Sequence, residues 1–224
     1  MLLYNHGILY IVGAILTYIM SFVTFIIGIK FKNRHHVLSH LFIYPFASFL
    51  QFTFSGLFEL LGFNISSKNI EISIHLFIIV ETICIYIFFM KTNIITGLAK
   101  KILPFFFVGF FLLYLTLLIR NEDLIKKSGR IYFWESCFIL LPCFIYLYQL
   151  FVKPPTLNLL NEPSFWFTAG ILIYLTLSLP TFLMIDYFQN KSIYDLVNLL
   201  NFIGYCIIFS FLIKAYLCKL PKTT

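Results

Sequence analysis

Four carboxylates stand inside or at the rims of long apolar runs in this chain: Glu59, Glu81, Glu135 and Asp195. Glu81 is the most exposed to scrutiny, because it sits near the middle of ISIHLFIIVETICIYIFFM, the run 72–90. At ~1.5 Å per residue that run spans roughly 28 Å as a helix, which matches the ~30 Å hydrocarbon core of a bilayer. An ionised acid at such a depth costs on the order of 2.5–3.5 kcal/mol, so Glu81 is expected to turn toward the protein interior. No Lys or Arg in the sequence lies at that depth to pair with it, and the neutral acid is the form expected at pH 7. The chemistry open to such a group is the uptake and release of a proton, or a hydrogen bond to a ligand or a neighbouring helix.

Other polar residues could share this site. Gln51 lies near the middle of the second apolar run and His75 six residues before the centre of the third. Tyr174, Ser178 and Thr181 follow the i, i+4, i+7 spacing of one helical face, and Asp195, Asn198 and Asn201 follow i, i+3, i+6, with Tyr205 four residues on. Amides facing lipid would lack partners, so these stripes are expected to face inward, either as interhelical hydrogen bonds or as the wall of a cavity. Gln51, Asn198 and Asn201 are the candidate partners of Glu81. Glu59 and Glu135 are expected toward the outer ends of their spans, Glu135 as a partly solvated acid beside the interfacial Trp134.

Several chemistries are excluded by residue type. The Lys in the last apolar run, Lys214, lies near its end and not deep enough for a retinal Schiff base. No HExxH, no Ser–His pair suited to intramembrane proteolysis and no Gly-rich phosphate loop occurs. The cysteines 84, 137, 143, 206 and 218 contain no CxxC and lie mostly in apolar runs, so neither a disulfide framework nor a metal site is expected. His36 and His40 share a helical spacing, but no carboxylate or Cys stands near them, and KFKNRHH reads as a basic loop at the lipid interface. No cofactor is expected.

These residues must be positioned by membrane helices. Of 224 residues, 61% are hydrophobic and 11% charged, against roughly 25% charged in soluble domains. Seven apolar runs predict an all-α seven-transmembrane-helix bundle forming one integral membrane domain over 1–224, with spans at about 7–29, 40–62, 72–90, 100–119, 131–152, 164–185 and 193–217. With the N-terminus outside, ten of the 16 basic residues fall on the inner side, which predicts N-out and C-in by the positive-inside rule. The loop with Lys126 and Lys127 runs against that count. The net charge of +7 belongs to these short loops, and no nucleic-acid partner is expected. The first span offers Gly13, Ala14, Ser21 and Gly28 for close helix approach. The fourth, nearly all Phe and Leu, reads as lipid-facing. Bends are expected at Pro45, Pro142 and Pro180.

The segments EPSFWFTAGILIYLTLSLPTFLM, HLFIIVETICIYIFF and IYDLVNLLNFIGYCIIF together resemble a family of small seven-helix membrane proteins of Bacteroidetes, often encoded beside sensor histidine kinases. The residues that carry the resemblance are His75, Glu81, Glu135, Pro163, Trp166, Gly170, Tyr174, Asn198 and Asn201. It implies a signalling neighbourhood in the cytoplasmic (inner) membrane and no particular reaction. The resulting expectation is a non-enzyme: a sensory or signalling accessory that binds a small or lipidic ligand in an outward-facing polar pocket and couples to a membrane partner, with a histidine kinase as the partner the resemblance suggests. The alternatives are a small-solute or proton-coupled transporter and a structural assembly subunit.

Overall fold

The computed structural model describes residues 8–54, 67–120, 128–152, 159–184 and 191–218, with the backbone alone at several helix-terminal positions, Asp195 among them. Glu59, the loop with Lys126 and Lys127, and the tail beyond Cys218 lie outside the described residues. Among the described residues there are seven α-helices and no strand. They are α1 (Ile8–Phe31), α2 (Ile43–Phe52), α3 (Ser67–Lys91), α4 (Gly97–Arg120), α5 (Ser128–Val152), α6 (Pro163–Met184) and α7 (Lys191–Leu217).

All of these except α2 are long and apolar enough to cross a membrane, which makes this a multi-pass membrane protein in a lipid environment. The surface agrees with that reading. Phe105, Ile119 and Phe151 stand more than three-quarters exposed, while Glu81 and Glu135 are buried. Lipid accepts such an apolar exterior as readily as water accepts a charged one.

The helices close into a ring. α1 packs on α2 and α7, α7 packs most extensively on α6, α6 on α5, α5 on α3, and α3 on α2. α4 stands outside this ring against α5 and α3, and its outer face is the least covered of the membrane-length helices, in accord with its Phe- and Leu-rich sequence. Small residues set the closest approaches. A Cβ at Gly13 would come within 2.8 Å of Phe202 Cδ2, one at Gly28 within 2.8 Å of Phe42 Cβ, and one at Gly170 within 2.7 Å of Phe211 Cβ. Gly13 and Gly28 thus play the packing role their sequence suggests; Gly170 does the same for the α6–α7 seam.

Proline effects differ from expectation at one site. Pro45 lies in the first turn of α2, where a proline interrupts no intrahelical bond, so the bend expected there has no cause. Pro104, Pro142 and Pro180 lie within α4, α5 and α6. Pro163 opens α6, and the Ser164 hydroxyl beside it donates to Glu162 Oε1 at 2.6 Å.

One end of the bundle is tied together by its connections. His35 Nε2 donates to the Cys218 carbonyl and His40 Nε2 to the Cys84 carbonyl, both at 3.0 Å. The side-chain amide of Gln149 spans the α3–α4 turn, accepting from Thr96 N–H at 2.8 Å and donating to Thr96 C=O at 3.2 Å. Gly97 follows at φ +63, a left-handed conformation that suits glycine and lets α4 start at once. Lys30, Lys32, Arg34, Lys91, Lys100, Lys101 and Lys214 all stand at this end. Lys214 extends over the Trp166 ring at 5.5 Å, the snorkelling posture of an interfacial lysine.

Candidate functional site

The inner faces of α2, α3, α5, α6 and α7 carry the polar groups of the ring. On α3, Glu81 and Thr82 are adjacent and both buried. Thr82 Oγ1 donates to Glu135 Oε1 across the α3–α5 contact at 2.7 Å. The expectation of a partly solvated Glu135 is therefore corrected: it is 3% exposed, while Trp134 beside it is 41% exposed. Successive helical residues point about 100° apart, so the interfacial position of Trp134 sends Glu135 inward.

Glu81 and Glu135 lie close enough to act on each other electrostatically. Among the described side chains no Lys or Arg reaches them, every such cation standing at the basic end. The groups that do surround them are tyrosines. Tyr44 of α2 faces the Glu81 carboxyl, and Tyr174, Tyr205 and Tyr132 lie within electrostatic range of it. Tyr174 and Tyr205 pack with ring centroids 4.9 Å apart, and their hydroxyls are within hydrogen-bonding range of each other. Phe77, one turn before Glu81, fills the space between Tyr44 and Tyr205, at 6.1 and 6.3 Å between centroids.

The two stripes read from the sequence meet across the α6–α7 seam. Ser178 Oγ donates to Asn201 Oδ1 at 3.0 Å, and Thr181 turns its hydroxyl back to the Ser178 carbonyl. Gly204 makes the meeting possible, since a Cβ there would fall 2.9 Å from the Tyr174 ring and 3.3 Å from Ser178 Oγ. Gln51 is half-buried on the same helix as Tyr44, and Asn198 stands half-buried one turn before Asn201. The structure thus gathers Glu81, Glu135, Tyr174 and Asn201 on the inner faces of the ring.

His75 is placed apart. It pairs with Tyr114 of α4, Nδ1 to hydroxyl 3.0 Å, on the side of α3 that faces out of the ring. Glu59 and the Asp195 side chain lie outside the described residues. A cavity of about 40 Å³ lies between α3, α4 and α5, where Phe89, Phe107, Phe110 and Phe138 form apolar walls and Thr82 and Tyr86 bring the polar atoms.

Sequence reasoning passed over Tyr44, Ser48, Thr82 and Tyr132. A signal for the first two was present: Tyr44, Ser48 and Gln51 repeat the i, i+4, i+7 spacing of Tyr174, Ser178 and Thr181. Thr82 carried none, since a lone Thr in an apolar helix more often bonds its own backbone, as Thr17, Thr24 and Thr176 do here.

The chain matches no protein-family model, no curated protein and no solved structure. Its function must be argued from the buried acids themselves.

Proposed function

We propose that this is a proton-coupled protein of the cytoplasmic membrane, spanning it seven times with the N-terminus outside, in which the Glu81–Glu135 pair binds and releases a proton as the helix ring changes shape. The single observation that carries the reading is the burial of both carboxyls in one core lined by tyrosines, with no cation among the described side chains to neutralise them. Two carboxylates in a low-dielectric site repel each other strongly, so the pair holds at least one proton. Losing it alters the electrostatics at a junction of α2, α3, α5, α6 and α7, and a group that prefers one helix arrangement when charged and another when neutral couples the proton to that change. The seventh span is α2, whose apolar sequence runs on to residue 62, and the basic end is the inner one by the positive-inside rule.

Movement of a small solute against this proton is the use the geometry supports best, because Glu81 and Glu135 are both buried inside the ring. The second reading is the sensory accessory, in which the same switch is passed to a membrane histidine kinase. It is favoured by the resemblance and by the shortness of the connections at the basic end. In both, the chain works by binding and not by catalysis.

Infrared titration of the protein in vesicles tests the core of the proposal. A protonated-carboxyl C=O band is expected at neutral pH, lost in the Glu81→Gln/Glu135→Gln double variant; no such band would sink it. A lumenal pH dye then separates the two uses: transport predicts solute-dependent proton flux, abolished by Glu81→Gln, and the accessory role predicts none.

A further inference from the structure

We infer that a file of internal water runs from His40, in the turn before α2, past Tyr44 to Ser48 of α2 and opens the Glu81 carboxyl to the basic end of the bundle. The inference rests on the proton-binding role of Glu81 and adds the side from which protons reach it. Three buried polar atoms with unused hydrogen-bonding capacity follow one another at four-residue intervals: His40 Nδ1, Tyr44 Oη, which is turned toward the Glu81 carboxyl, and Ser48 Oγ. Tyr44 and Ser48 are both 0% exposed. A buried polar group left unsatisfied costs roughly 1–3 kcal/mol, and native interiors avoid this with ordered water, about one buried molecule per 27 residues.

The spacing fits water. Tyr44 and Ser48 lie one turn apart on α2, about 6 Å along its axis, and His40 stands in the i→i+3 turn that leads into the helix, beside Cys84. One water bridging two groups through hydrogen bonds of about 2.8 Å each covers that step. The chemistry of the groups alternates suitably. The Cys84 carbonyl can only accept, so His40 carries its hydrogen on Nε2 and Nδ1 is an acceptor, while Tyr44 and Ser48 each offer an O–H donor and acceptor lone pairs. Cys84 lies three residues beyond Glu81 on the antiparallel α3, which sets His40 one step toward the basic end from the acid, and Tyr44 faces the carboxyl itself. His40 is half-buried and lies near Lys91 and His36, as a mouth at that end must.

Radiolytic footprinting in native-like membranes tests the file directly, because hydroxyl radicals made from bound water oxidise the side chains it touches, however deeply buried. Tyr146 is the control, equally inaccessible at 0% but bonded to Ser164 Oγ at 3.1 Å. Tyr44 is expected to oxidise about tenfold faster than Tyr146, and Ser48→Ala to lower that rate about twofold. Equal rates for the two tyrosines would overturn the file. Deuterium exchange of the Glu81 carboxyl band tests its direction: a His40→Phe variant is expected to slow it about tenfold, and unchanged exchange would overturn the mouth. The footprinting result does not depend on whether Glu81 is protonated, so failure of the file and failure of the proton-binding role are read separately.

Discussion

Replacing Thr82 by Val tests whether the α3–α5 junction is held through Glu135. The two side chains have nearly the same shape, so the change removes one hydroxyl and little volume. It deletes the 2.7 Å hydrogen bond to Glu135 Oε1, and both residues are within 5% of full burial, so water does not readily replace the donor. Interhelical hydrogen bonds in membrane proteins average about 0.6 kcal/mol and reach about 1.7, whereas leaving a buried acceptor unsatisfied costs about 1–3. The expected loss is about 1–2 kcal/mol, a five- to thirtyfold fall in the folded-to-unfolded ratio. The unfolding free energy of purified protein in mixed micelles reports it. In a Glu135→Leu background the acceptor is gone and the same Thr82→Val change should cost no more than about 0.5 kcal/mol. An equal cost in both backgrounds would refute the argument, since the hydroxyl would then be acting on something other than Glu135.

Two further outcomes follow from packing and from charge. Gly170→Ala gains about 1 kcal/mol of helix propensity but sets a Cβ 2.7 Å from Phe211 Cβ, where overpacking costs about 1–3, so it should destabilise; Gly109→Ala, whose Cβ would meet nothing nearer than Phe138 Cε1 at 3.9 Å, should be neutral or stabilising in the same unfolding assay. His35 outside the spans is held below its ordinary value of 6.5 chiefly by burial, helped by Arg34 and opposed by the Cys218 carbonyl and Glu162. The folded state therefore binds fewer protons than the unfolded one below 6.5, its contribution is complete above that pH, and it is lost as pH falls through the lowered folded value. Melting temperature should drop on acidification from pH 7 to about 5, less steeply in His35→Gln; parallel curves would refute it.

The membrane class and the inward turn of Glu81 were legible because lipid imposes a long apolar run on every span and makes a charge in one conspicuous. Glu135 was harder to read. Hydropathy reports depth along a helix and carries no azimuth, so an acid next to an interfacial Trp looks solvated until its face is known. The same blindness hid Tyr44, which in a Phe-rich run is one more aromatic until α3 is seen to bring Glu81 opposite it. His75 erred the other way: a polar residue six positions from Glu81 on the same helix points elsewhere, and only the placement of Tyr114 on α4 shows where.

Thr17 of α1 bonds Gly13 of its own helix and reaches the Phe202 carbonyl of α7, 185 residues away in sequence. The ring therefore closes between α1 and α7, of which α7 is made long after α1. Until α7 is inserted, the seam of α1 around Gly13 and the polar faces of α2 and α6 border lipid, with Glu81 sheltered on fewer sides than it needs. Biogenesis of this chain is thus a wait as much as an assembly: the early helices must be kept from wrong partners in the bilayer while the rest are translated. A chain truncated before Lys191 would be left with its acid core open, a form that quality-control proteases of the membrane are equipped to remove.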